Sequence, residues 1–130
     1  MFSETTENIK VTVKPVFLEQ QSSLAESRFV WAYHVRIENG RGDTVQLLNR
    51  HWRITDANGK REEVRGPGVV GEQPVLKAGA SFEYTSGCPL KTPSGFMEGS
   101  YEMERGDGSR FFIRIPMFSL DSPHAVSQIH

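Results

Sequence analysis

Gly66-Pro67-Gly68-Val69-Val70-Gly71 reproduces the spacing G-x-G-x-x-G, the pattern in which glycines let a pyrophosphate approach a helix N-terminus. That chemistry needs a strand before the loop and a helix after it. Here Glu72, Gln73 and Pro74 follow, with Gly79 soon after, and such a stretch does not read as a helix. The segment is expected to be a glycine-rich crossover between strands. Its residual chemical use is a weak cradle of loop amides for an anion.

Cys88 lies in Ser86-Gly87-Cys88-Pro89-Leu90 and is the only cysteine. A catalytic thiol needs a neighbouring base and something that depresses its pKa. His51 and His124 are the nearest histidines in sequence, and neither has a recognisable catalytic setting, so Cys88 reads as a small residue packed in a turn. His34, His51, His124 and His130 are scattered without metal-ligand spacing. Glu62-Glu63, Glu98, Glu102 and Glu104 fall on outward strand positions, where cross-strand pairing accounts for them. Arg50-His51 precedes Trp52-Arg53 where the alternation slips, and bulges often re-aim side chains toward binding sites. The candidate ligand- or partner-contacting residues are therefore Gly66, Gly68, Gly71, Arg50 and His51. No catalytic residue, metal ligand or cofactor is assigned.

The elements that must position these residues are strands. Phe29, Trp31, Tyr33, Val35 and Ile37 alternate with Val30, Ala32, His34, Arg36 and Glu38, the period of two of a core-facing central strand. Parity also selects the hairpin loops. A three-residue loop of Gly106, Asp107 and left-handed Gly108 sets Tyr101 opposite Ile113, Met103 opposite Phe111 and Glu104 opposite Arg110. A loop of Ala57, Asn58 and Gly59 sets Trp52 opposite Val64 and Arg53 opposite Glu63. A bulge is expected near Asn49. Met117 is grouped with the core-facing residues of the last strand, and Trp31 and Trp52 are assigned to core positions of neighbouring strands. Weaker strands are expected at about Ile9 to Val13, Val16 to Gln20, Pro74 to Lys77 and Ala80 to Ser86. Pro15 marks an edge strand that changes partner there. About seven short strands in one domain read as an immunoglobulin- or fibronectin type III-like β-sandwich, with Tyr101 placed to form a tyrosine corner. The domain is expected to span residues 1–118, followed by a loose tail over 119–130.

A length of 130 residues suits one core. The net charge of −1 leaves no basic excess for nucleic acid. The polar stretch Met1 to Lys10 lacks the apolar segment of a secretory signal, and no apolar run approaches the roughly 18 residues of a membrane span. With one cysteine, a reducing cytoplasmic setting is expected. The expected partner is another protein, not nucleic acid or membrane, and an exposed edge strand permits a homodimer without requiring one.

Several segments together resemble the bacterial ApaG family, over about Val13 to Pro116. They are Phe29-Val30-Trp31-Ala32-Tyr33 with Val35-Arg36-Ile37-Glu38-Asn39, and Arg50-His51-Trp52-Arg53-Ile54-Thr55-Asp56. The glycine loop continues to Glu72-Gln73-Pro74. Tyr84-Thr85-Ser86-Gly87-Cys88-Pro89-Leu90 with Gly95-Phe96-Met97-Glu98-Gly99-Ser100-Tyr101 is the most specific stretch. The resemblance implies a fibronectin type III-like fold and a link to cobalt resistance and magnesium efflux, without an agreed catalytic set. Similar domains in F-box and polymerase-interacting proteins imply protein recognition. A frequent neighbouring gene for a dinucleoside tetraphosphatase implies, as the alternative, a phosphate- or nucleotide-binding protein or enzyme using Gly66 to Gly71.

Overall fold

The computed structural model describes residues 1–125. The described residues run through nine strands: β1 (Phe2–Thr6), β2 (Ile9–Phe17), β3 (Phe29–Asn39), β4 (Val45–Asp56), β5 (Arg61–Pro67), β6 (Val75–Leu76), β7 (Ser81–Leu90), β8 (Ser94–Arg105) and β9 (Arg110–Asp121). A single 3₁₀ turn at Glu19–Gln21 interrupts them. The strands form two antiparallel sheets, one ordered β1-β2-β3-β7 and the other β5-β4-β8-β9, with β6 on β4. The sheets are packed as a sandwich, as the alternation requires of strands with one apolar face.

The inner faces meet in a single core that includes Trp31, Tyr33, Val35, Ile37, Trp52, Met97, Tyr101, Ile113 and Phe118. Burying each large apolar side chain is worth roughly 1.5–3 kcal/mol. Trp31 also donates its Nε1–H to the Asp121 carbonyl at 2.8 Å, fastening the end of β9 to the opposite sheet. Because β1 and β2 pack against β9, one flank of the sandwich is closed. The edge strands β5 and β7 fall on the other flank.

Both hairpin registers agree with parity. Trp52 faces Val64 and Arg53 faces Glu63; Tyr101 faces Ile113, Met103 faces Phe111 and Glu104 faces Arg110. Gly59 and Gly108 are left-handed, with φ of 81° and 85°. The register of β4 against β8 shifts between Leu47 and Asn49, so the expected bulge is there.

Five expectations change. Phe2–Thr6 is a strand: Glu7 and Asn8, at φ 52° and 61°, form the mirror-image two-residue turn that twists with its hairpin, and this brings the total to nine strands. Pro15 does not mark a change of partner, since β2 pairs with β3 throughout and its pairing with β1 ends at Val13. Trp31 and Trp52 lie in opposite sheets of one core, Trp31 against Phe17 and Trp52 against Tyr33 and Phe118. Met117 is exposed because a second register shift, between Met97 and Gly99, turns the end of β9 over. Strand β9 continues past Phe118 to Asp121, with Leu120 and Ser122 buried; residues 126–130 of the expected tail lie outside the described residues.

Candidate functional site

The Gly66–Gly71 loop is a crossover, and the amides of Gly68 and Val69 are engaged by backbone carbonyls. Gly68 N–H donates to the Leu48 carbonyl at 2.8 Å, while Val69 and Glu72 exchange hydrogen bonds of 2.8 and 2.9 Å. Between them Val70 and Gly71, at φ 44° and 82°, make another mirror-image two-residue turn. Gly68 is left-handed at φ 63°, and a Cβ there would collide with the Glu72 carbonyl oxygen. The glycines serve a tight double turn, and three of the amides that would cradle a phosphate are engaged within it.

Arg50 explains the loop's position. It pairs with Gly66 on one side and Tyr101 on the other, which puts its side chain on the inner face of the sheet beside Trp52. Its Nη1 donates to the carbonyls of Pro67 and Gly68 at 2.9 and 3.0 Å. A Cβ on Gly66 would stand 3.0–3.1 Å from the guanidinium, so that glycine makes room for the arginine. Carbonyls holding a cation, rather than amides holding an anion, are what this loop presents. Arg50, Gly66 and Gly68 are thus brought together, and Gly71 completes the turn.

Inside the same flank, Tyr84 from β7 and Tyr101 from β8 share a hydrogen bond between hydroxyls across the two sheets. Tyr101 is therefore a cross-sheet strut and not a tyrosine corner. Burial raises the pKa of Tyr101, Tyr84 and Tyr33. Cys88, on β7 opposite Trp31, is buried, and desolvation followed by the nearby Glu62 charge pushes its thiol up to about 11. This is the reverse of what a nucleophilic cysteine needs. A groove of about 490 Å³ opens nearby between Ile54 and Leu90. Three acids (Glu26, Asp56, Glu62) and three bases (Arg28, Lys60, Lys91) line it.

His51 points the other way from Arg50, out of the sheet, with Nε2 3.1 Å from Glu63 Oε1. His34 lies on the outer face of the opposite sheet, held by Thr85 at 2.9 Å and Glu83 at 2.8 Å, so the two histidines cannot share an ion. His124 meets Glu19 at 3.2 Å, and His130 lies outside the described residues. Among the described residues no group of three or more His, Cys, Asp or Glu side chains is placed to hold a metal.

Around His51 the pairing of four strands builds a feature that the sequence reading missed. His51 faces Arg65 on β5 and Ser100 on β8, and Ser100 faces Arg114 on β9. Arg65, His51, Ser100 and Arg114 form one row straight across the outer face. Arg114 stands between Phe112 and Met117 along β9, and these are 65% and 56% exposed. Grooves of about 510 and 350 Å³ lie on either side of the row and meet at Ser100 and Phe112. The available signal was parity: Phe112 and Arg114 alternate against the buried Ile113 and Ile115.

A family model described as the ApaG domain matches residues 19–105. A Protein ApaG of Rhodospirillum centenum is 65% identical over 128 residues, 98% of each chain. The chain belongs to the ApaG family. A second ApaG, from Parvibaculum lavamentivorans, is 56% identical over the full length of both chains. Among solved structures, a putative ApaA protein from Bordetella pertussis superposes with a TM-score of 0.86 at 45% identity, covering 88% of this chain and 94% of that one. The ApaG domain match contains the glycine loop, Arg50, His51, Cys88 and Ser100. It ends before β9, which carries Phe112 and Arg114.

Proposed function

We propose that this ApaG chain is a cytoplasmic recognition module, without catalysis of its own, that acts in divalent-cation (Co²⁺/Mg²⁺) homeostasis by binding another protein. The observation that carries this reading is the internal engagement of the loop backbone, Arg50 and Cys88, the groups on this flank best suited to chemistry. The Gly68 amide donates to the Leu48 carbonyl and Val69 and Glu72 bond each other, Arg50 is held by two loop carbonyls, and the Cys88 thiol is buried with its ionised form disfavoured. What the fold presents outward is sheet surface and two edge strands, the usual material of recognition. The cation link comes from the family. Among the described residues no helix is long and apolar enough to cross a membrane, which suits an effect exerted through a partner. A phosphate at Gly66–Gly71 would have to displace the hydrogen bonds of Gly68, Val69 and Glu72.

Affinity capture with the tagged full chain, from cells grown with and without Co²⁺, tests the proposal. Enrichment of a specific protein in both independent preparations is expected. Recovery of nothing above a control β-sandwich would overturn it.

A further inference from the structure

We infer that the outer face of the β5-β4-β8-β9 sheet is the docking surface, and that its occupant is an acidic, partly apolar extended segment of a partner protein laid along the Arg65–His51–Ser100–Arg114 row. This rests on the recognition reading above and names the surface and the chemistry of what it takes.

Charge is the first argument. The four strand carboxylates of this face are already engaged, while Glu4 of β1 borders the groove beside Arg114 without an ion pair among the described residues. Glu63 meets His51; Glu98 meets Arg53 and Arg61; Glu102 meets Asn49 and Arg110; Glu104 meets Arg110. Arg53, Arg61 and Arg110 are the cations that satisfy them. Arg65 and Arg114 are left over: among the described residues neither side chain has a hydrogen-bond or ionic partner. The face therefore carries two guanidiniums without an ion pair at the two ends of one row, although the chain as a whole has a net charge of −1. Guanidinium is the cation best suited to forked recognition of a carboxylate.

Spacing is the second. The row crosses three inter-strand gaps, about 14 Å at ~4.8 Å each. An extended peptide rises about 3.3 Å per residue, and side chains at i and i+4 share a face about 13 Å apart. Two carboxylates four residues apart thus reach Arg65 and Arg114 together, with the residue between them over His51 and Ser100. The third argument is apolar. Phe112 and Met117 flank Arg114 on a surface otherwise paired by charge, and exposed apolar anchors beside cations are what an interface centre needs.

The test is a two-dimensional amide NMR titration of the full chain. The probes are a blocked eight-residue peptide with glutamates four residues apart and leucines at its ends, its glutamate-to-lysine counterpart, and inorganic phosphate. The glutamate peptide is expected to shift Arg65, His51, Ser100, Phe112 and Arg114 together. Its binding should weaken about tenfold or more in Arg65→Gln/Arg114→Gln and several-fold in Phe112→Ser, variants at exposed positions whose folding the same spectra report. The inference is overturned by no shifts along the row at millimolar peptide, by equal binding of the lysine peptide, or by indifference to the arginine substitutions. It is also overturned if phosphate alone reproduces the shifts, or if the variants instead abolish a self-association of the chain. Partner capture separates the two readings. A partner retained equally by Arg65→Gln/Arg114→Gln removes this surface and leaves the recognition module standing; no partner at all removes the module.

Discussion

Arg50 and His51 are consecutive in β4 yet serve opposite sides of the sheet. The Arg50 guanidinium turns inward to the carbonyls of Pro67 and Gly68 at 2.9 and 3.0 Å, while His51 turns outward to Glu63 at 3.1 Å. The first residue builds the flank of the domain, and the second belongs to its exposed face. Two different experiments therefore separate them.

Substitutions at Arg50 and Gly68 are expected to act on stability. Arg50→Met removes both loop hydrogen bonds and leaves two carbonyls without their donor, a loss of about 1–3 kcal/mol. Gly68→Ala places a side chain at φ 63° against the Glu72 carbonyl and is expected to cost a similar ~1–3 kcal/mol. Urea denaturation of each variant checks this. Isothermal titration with nucleotides and pyrophosphate is expected to find no micromolar binding to the unsubstituted chain. Micromolar binding abolished by Gly68→Val would instead establish the loop as a phosphate site.

The cross-sheet pair of Tyr84 and Tyr101 is expected to couple energetically. Tyr101→Phe or Tyr84→Phe alone leaves the other buried hydroxyl without its partner, at about 1–3 kcal/mol. The double substitution should cost less than the sum of the two, because it removes both groups at once. A double-mutant cycle by chemical denaturation measures the difference; strict additivity would show that the hydroxyls do not interact.

Alkaline pH is expected to destabilise the domain. Burial favours the neutral form of Cys88, raising its pKa from 9.0 to about 11. A raised folded-state pKa gives stability that is fully present below the unfolded value and lost as pH rises through the folded value. Cys88 therefore contributes on the order of 2 kcal/mol at neutral pH, disappearing between about pH 9 and pH 11. The buried tyrosines, shifted in the same direction, extend the decline further. Thermal unfolding across this range should show the fall, and Cys88→Ala should flatten its first part.

The hairpin registers and the bulge before Asn49 were legible in the sequence because a one-residue slip reverses every side chain of a strand. The same parity puts Arg50 on the face of Trp52. It is blind to which sheet a strand joins, so it sets Trp31 and Trp52 on neighbouring strands when they sit in opposite sheets. It also fails where the alternating residues are polar, as in Ser3 to Thr6, whose strand exists through pairing with β2 and the Glu7-Asn8 turn. The Arg65–His51–Ser100–Arg114 row was out of reach for another reason. It requires the registers of three strand pairs at once, and that of β4 with β8 joins segments about fifty residues apart, with no turn to fix it.

The most direct measurement places a photoreactive phenylalanine analogue at Phe112, with the same analogue at Thr12 on the outer face of the opposite sheet as control, in the full chain inside cells. Irradiation is expected to give a discrete covalent adduct with one other protein from position 112 and none from position 12, and the adduct should diminish in Arg65→Gln/Arg114→Gln. No adduct from position 112, or the same adducts from both faces, would contradict the account of this chain as a recognition module acting through its arginine-flanked sheet.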